Sequence, residues 1–159
     1  MAVEPLRDDL NQAGKALLAA LDRVGLRPQG AGWFYSQELE DWRFYVASPL
    51  VEAIGRKKLY SALVDALGTL GNIDGLSVFD IHLTSPDDPL FRLVGDFFGM
   101  REDGNIIIHD LNLIDERTRS RAHIEASLYR WDPTPLSARE IRQLASRFMR
   151  GVEKARERA

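Results

Sequence analysis

Apolar residues recur every three or four positions in three stretches of the chain, a spacing typical of amphipathic helices. These stretches are residues 5–24, 56–70 and the segment that follows Ser137, and a short helix is also expected over residues 89–98, before Gly99. Gly25 suits the left-handed stop of the first helix, and Asp88 before Pro89 suits the start of the third. Ser137 with Glu140 three residues later predicts a capping box at the fourth.

Alternating or aromatic-rich runs between the helices predict five strands. They cover residues 33–37, 42–46, 76–84, 105–114 and 121–131. The first two strands read as a hairpin around the acidic loop 38–41. Pairing Gln37 with Trp42 places Tyr35 opposite Phe44 and leaves aromatic side chains on both faces.

The last two strands are predicted to form a second hairpin, in which Glu116 pairs with Arg121. This register collects apolar residues on one face and places His109 opposite Leu128 among them. His123 then lies on the other face, because side chains alternate along a strand. We therefore predict that the two histidines point to opposite sides of the sheet.

The predicted order is α-β-β-α-β-α-β-β-α, with strands joined mostly as hairpins. That order predicts an α+β fold in which helices pack on a mostly antiparallel, five-stranded sheet. No repeat, low-complexity tract or linker interrupts the chain, so we expect residues 1–159 to form a single globular domain.

Composition narrows the function classes. The chain has 159 residues and no cysteine, which excludes disulfides, thiolate catalysis and Cys-ligated metal sites. With 28% charged residues and no apolar run near the length of a bilayer span, no membrane segment is expected. The first ten residues lack the apolar core of a secretory signal, so the expected location is cytoplasmic.

Charge is distributed unevenly although the net value is only −3. Residues 1–71 sum to −1, residues 72–115 to −7 and residues 116–159 to +5. The acidic middle and the basic end could face each other within the fold, face a second subunit, or bind different partners.

A group of polar residues on the predicted strands forms the candidate catalytic patch. Its members are Asp110, His123, Glu125 and Ser127 with Asn112, joined by Asp80 and His82 if that strand lies alongside. Carboxylates beside imidazoles can perform acid–base chemistry or hold a divalent ion. Such residues are more often ordinary solvent-facing positions of an antiparallel sheet, so we expect neither a metal nor a cofactor.

Sequence motifs of common enzymes are absent. There is no phosphate-binding G-x-x-x-x-G-K-[ST], no dinucleotide G-x-G-x-x-G, no G-x-S-x-G and no H-E-x-x-H. The pattern therefore leans away from catalysis.

Two groups of residues are candidates for binding. The first is the aromatic set of the first hairpin: Trp33, Tyr35, Trp42 and Phe44. The alternative is that these side chains simply belong to the hydrophobic core. The second is basic and comprises the loop residues Arg117, Arg119 and Arg121, and a ridge on the last helix formed by Arg139, Arg147, Arg150, Lys154 and Arg158. The basic set could bind nucleic acid, but a pI of 5.6 is far below that of a typical nucleic-acid-binding domain.

The functional hypothesis is a small cytoplasmic protein-interaction domain without catalytic activity, which binds another protein or its own copy. The alternatives are a metal-dependent or acid–base hydrolase that uses the polar patch, and a nucleic-acid-binding accessory protein.

Overall fold

The structure is a computed structural model that describes residues 4–69, 76, 81–98, 106–114, 116–119 and 121–158. The helices are α1 (Asp8–Arg23), α2 (Leu50–Ala53), α3 (Arg56–Thr69), α4 (Pro89–Phe98) and α5 (Ala138–Glu157). The strands are β1 (Gly30–Ser36), β2 (Asp41–Ala47), β3 (Ile81–Thr84), β4 (Ile106–Ile114) and β5 (Arg121–Trp131). Among these described helices, none is both long enough and apolar enough to cross a bilayer.

The strands form one five-stranded sheet in the order β3-β2-β1-β5-β4. β3 runs parallel to β2, and the remaining neighbours are antiparallel. The parallel pair arises because α2 and α3 lie between β2 and β3 in the chain and carry it back to the same end of the sheet. A mostly antiparallel sheet packed with helices confirms the predicted α+β class.

Helices cover both faces of the sheet. The larger apolar cluster joins α1, α3 and α5 to one face and includes Trp33, Phe44 and Phe148. The smaller apolar cluster joins α4 to the other face and includes Phe34 and Phe91. Consecutive aromatic residues of β1 therefore point into different clusters, which explains why both faces of the first hairpin are aromatic.

The predicted start and stop signals act as expected at most helix ends. The backbone of Gly25 is left-handed, with φ of 88°, directly after α1. Asp88 accepts a hydrogen bond from the Leu90 N–H at the start of α4, and Ser137 and Glu140 form the capping box of α5. α1 begins at Asp8, so its predicted start at residue 5 is wrong, and the one-turn α2 was not predicted.

The predicted register of the first hairpin is wrong by two residues. Tyr35 pairs with Trp42, and Trp33 pairs with Phe44. The four-residue loop accordingly covers residues 37–40, and its last residue, Glu40, has a φ of 50°. A shift of two leaves every side chain on its predicted face, because the alternation has a period of two.

The predicted register of the second hairpin is also wrong: near the turn it is off by two residues, as in the first hairpin, and one further residue enters along β4. Near the turn, Ile114 pairs with Arg121, whereas Ile108 pairs with Ala126 further along. The register shifts between Ile108 and Leu111, where two residues of β4 oppose one residue of β5. This β-bulge reverses the alternation in the first half of β4.

The predicted third strand, residues 76–84, is only partly described. Its last four residues form β3, and residues 77–80 lie outside the described residues. β3 is at the edge of the sheet opposite to β4.

Candidate functional site

The β-bulge consists of His109 and Asp110, which together oppose Glu125. Asp110 has a φ of 53°, in the left-handed region that aspartate and asparagine tolerate better than most residues. The extra residue allows Ile108 to turn into the smaller apolar cluster beside Leu113. As a result, both bulge residues lie beside the carboxylate of Glu125 rather than in the core.

Glu125 contacts His109, Asp110 and His123, and we call these four residues the Glu125 cluster. The side chain of Glu125 is only 7% exposed. Oε1 accepts a hydrogen bond from the Asp110 backbone N–H at 2.9 Å, and Oε2 accepts one from Nδ1 of His109 at 2.7 Å. Burial by itself would raise the pKa of Glu125, but these hydrogen bonds outweigh it and hold the pKa below its usual value.

His123 lies between two oxygen-bearing neighbours. Its Nε2 is 3.3 Å from Oε1 of Glu125, and its Nδ1 is 3.0 Å from Oδ1 of Asn112. Oδ1 of Asp110 lies 3.7 Å from the same Nδ1. A neutral imidazole has a single N–H, so it can donate to only one of these oxygens at a time.

The prediction that His109 and His123 point to opposite faces is wrong. Both rings contact the carboxylate of Glu125. The expectation that His109 is a core histidine is also wrong, since its side chain is 79% exposed. The bulge accounts for both errors, because it moves His109 from the apolar face to the side where His123 lies.

The other members of the predicted patch have different surroundings. Ser127 is buried on β5, where it pairs with Trp33 on one side and Ile107 on the other. His82 is on β3, at the far edge of the sheet, and its ring stacks 4.5 Å from that of Tyr45. Burial lowers the pKa of His82, and nearby Arg56 and Arg43 lower it further. Asp80 lies outside the described residues.

Three side chains of the cluster are close enough to hold one metal ion. Each of Asp110, His123 and Glu125 offers a ligand atom, and these atoms all lie within 4.8 Å of one another. The same arrangement could transfer a proton between an imidazole and a carboxylate. Neither use is supported by an adjoining substrate cleft, because the cavities of about 610 and 650 Å³ are lined by other residues.

The aromatic hairpin divides into core and partly exposed residues. Trp33 and Phe44 are buried in the larger apolar cluster. Tyr35 and Trp42 are half-buried, and their rings meet edge to face at 5.7 Å. The indole N–H of Trp42 donates to the carbonyl oxygen of Glu4. The predicted aromatic binding surface is therefore reduced to its outer pair.

The exposed side of α5 is strongly basic over its first three turns. Arg139, Arg142, Arg147 and Arg150 border a shallow depression, together with Gln143 and Ser146. Within the described part of the chain these arginines form no ion pair. We call this surface the arginine face. Arg142 was not part of the predicted ridge, although its spacing from Arg139 and Arg150 places it on the same side of a helix.

The predicted loop arginines are also exposed. Arg117 borders the cavity that Asp87, Arg92 and Asp96 line, and Arg119 has a φ of 56°. Arg121 is the first residue of β5. The structure does not place these three residues in the depression on α5.

Comparison of the chain with protein-family models, curated proteins and solved structures gives no match.

Proposed function

We propose that the chain is a non-catalytic, cytoplasmic binding domain, and that its arginine face docks an acidic segment of another protein. The observation that carries this proposal is the row of four exposed arginines on α5, which have no acidic partner in the described part of the fold. Guanidinium groups bind carboxylates through two parallel hydrogen bonds, so such a row suits aspartate and glutamate side chains.

Other basic residues near α5 are already neutralised, which sets the arginine face apart. Arg156 forms an ion pair with Asp65 of α3, and Arg130 forms a two-pronged ion pair with Asp22 of α1. Both acidic partners belong to residues 1–71, so these contacts do not test the predicted balance between the acidic middle and the basic end of the chain. The four residues of the arginine face have no such contact within the described part of the chain.

The arginine face stands on a rigid support. The opposite side of α5 buries Leu144, Phe148 and Val152 in the larger apolar cluster. The capping box fixes the start of the helix just before Arg139. A preorganised surface loses little conformational entropy when a partner binds, which favours specific docking.

A protein partner is favoured over nucleic acid by the charge of the whole chain. The pI is 5.6 and the net charge is −3, so the long-range field does not attract a polyanion of uniform charge. A short acidic segment needs only the local patch. A hydrolase that uses the Glu125 cluster is less well supported, because the cavities of about 610 and 650 Å³ do not open onto it.

The proposal is tested by fluorescence anisotropy with three labelled probes: a twelve-residue peptide of alternating glutamate and aspartate, and single- and double-stranded oligonucleotides. The variant Arg142→Glu/Arg150→Glu reverses two charges on the arginine face. The matched control, Lys57→Glu/Lys58→Glu, makes the same formal change on exposed positions of α3. We expect the acidic peptide to bind the parent chain and the control, and to lose binding to the arginine variant.

Two outcomes overturn the proposal. Equal peptide binding by the arginine variant and its control would show that the arginine face is not the site. Oligonucleotide binding tighter than about 1 μM at physiological salt would exceed the nonspecific range of roughly 10⁻⁴–10⁻⁶ M and establish the nucleic-acid alternative. The variant Arg117→Ala/Arg119→Ala/Arg121→Ala then shows whether the loop takes part.

A further inference from the structure

We propose that Asp110, His123 and Glu125 form a binding site for a divalent transition-metal ion of the Zn²⁺ class. This site is separate from the arginine face and does not depend on the docking proposal.

The spacing of the ligand atoms fits such an ion. Nε2 of His123 and Oε1 of Glu125 are 3.3 Å apart. Two ligands in tetrahedral geometry lie roughly 3.3–3.6 Å apart when their bonds to zinc are about 2.0–2.2 Å long. A ligand atom of Asp110 lies within 4.8 Å of both partners. Asp110 is 72% exposed, so its side chain can close the remaining distance without disturbing the core.

The charges around the cluster also favour a cation. Two carboxylates converge there, and in the ranges that the structure describes neither of them pairs with lysine or arginine. Glu125 is buried, so water disperses little of its charge. Its side-chain hydrogen-bonding partners are His109 and His123. A divalent ion would neutralise the pair of carboxylates directly.

The chemistry of the donors selects the class of metal. The site combines an imidazole nitrogen with carboxylate oxygens, and the chain has no cysteine to supply a thiolate. Imidazole suits zinc and its first-row neighbours, whereas magnesium and calcium prefer ligand sets made only of oxygen. A site with one imidazole and two carboxylates should therefore discriminate in favour of Zn²⁺ over Mg²⁺.

His109 has a positioning role in this arrangement. It donates to Oε2 of Glu125, whereas the oxygen that faces His123 is Oε1. A hydrogen bond to the other oxygen orients a ligating carboxylate without occupying the metal. Three protein ligands also leave part of the coordination sphere free for water on the exposed side, where Asp110 lies.

Isothermal titration of the full chain with ZnCl₂ and MgCl₂ in a non-chelating buffer tests the site. We expect one Zn²⁺ per chain and much weaker binding of Mg²⁺. His123→Asn and Asp110→Asn should each weaken Zn²⁺ binding more than tenfold, and His109→Asn by about tenfold. The matched control is His82→Asn, which removes a histidine at the opposite edge of the sheet and should change the affinity less than twofold.

Equal losses in His82→Asn and His123→Asn, or no loss in either, would overturn the proposal. A spectroscopic measurement covers the case in which a variant fails to fold. In long-range ¹H–¹⁵N spectra of the unmodified chain, Zn²⁺ should shift a ring nitrogen of His123 and leave those of His82 unchanged. Shifts of His82 of the same size, or an unaffected His123, would show that the bound ion is not at this cluster.

Discussion

The two hairpins of the sheet differ in how a register change affects their faces. In the β1–β2 hairpin the observed pairing differs from the expected one by two residues, and Trp33 and Phe44 remain in the larger apolar cluster. In the β4–β5 hairpin a single extra residue enters at His109 and Asp110. There, Ile108 takes the buried position, while Ile107 is 75% exposed.

The difference shows that the parity of a register change matters more than its size. An even shift changes which residues are opposite each other and keeps the core intact, whereas an odd shift exchanges the core side and the solvent side. In the first hairpin the consequence is confined to packing partners. In the second, the odd shift assembles the Glu125 cluster.

The largest loss of stability is expected from a substitution in the larger apolar cluster, where the first hairpin and α5 both contribute side chains. Phe148 is fully buried in the same cluster as Trp33 and Phe44. Phe148→Ala should lower the free energy of unfolding by about 3–5 kcal/mol, measured by denaturant titration. Arg150→Ala, on the exposed side of the same helix, is the control, and a similar loss in both variants would show that α5 does not depend on this cluster.

A sequence could predict this region well, because its signals are local. The spacing of Leu144, Phe148 and Val152 and the pair Ser137 and Glu140 are sufficient to place α5. The faces of the first hairpin follow from alternation alone. The register of this hairpin could not be predicted, because nothing in residues 37–41 distinguishes a loop at 38–41 from the observed loop at 37–40.

The next prediction tests how closely α1 packs on the first hairpin. A Cβ at Gly14 would lie 2.5 Å from Nε1 of Trp33 and 2.8 Å from Cε2 of Tyr129. Both rings are buried and rigid, so Gly14→Ala should cost roughly 1–3 kcal/mol through overpacking. Gly68→Ala, at an exposed position of α3 with nothing within 4 Å of the new Cβ, should instead stabilise the chain by about 0.5–1 kcal/mol. A gain from both substitutions would contradict the close approach.

The stability contributed by the second hairpin should depend on pH in the acid range, through Glu125. The lowered pKa of Glu125 means that its carboxylate stabilises the folded chain above the unfolded value, near 4.5, and that this contribution is lost as the pH falls through the lowered value. Glu125→Gln should therefore cost roughly 1–2 kcal/mol at pH 7 and little in strong acid. Denaturant titrations of both chains from pH 7 downwards measure the difference, and a gap that persists unchanged in acid would contradict the sign.

The smallest effect is expected at the bulge itself. Glycine adopts a positive φ without strain, so Asp110→Gly should change the unfolding free energy by less than about 1 kcal/mol. Asp110→Val should cost about 1–2 kcal/mol, since a β-branched residue is strained there. Asn112→Val, two residues further along β4, is the matched control and should be neutral or slightly stabilising. Equal effects of valine at both positions would argue against a left-handed Asp110.

The Glu125 cluster could be predicted only in part. Asp110, His123 and Glu125 were recognised as a polar patch because they alternate with apolar residues in each strand. His109 was assigned to the core because a strict period of two places it beside Leu111 and Leu113. No residue in this stretch is a glycine, which often marks a bulge, so the extra residue has no local sequence signal. The separation of His82 from the cluster depends on strand order, which local patterns do not encode.

The bulge at His109 and Asp110 brings two histidines to one buried carboxylate. Cross-strand nuclear Overhauser effects between β4 and β5 report on this bulge. The bulged register predicts backbone contacts between Ile108 and Ala126 and between Asn112 and His123. Contacts that pair His109 with Leu128 and Leu113 with Ile124 would instead show an uninterrupted ladder, in which the two histidines are separated and the bulge is absent.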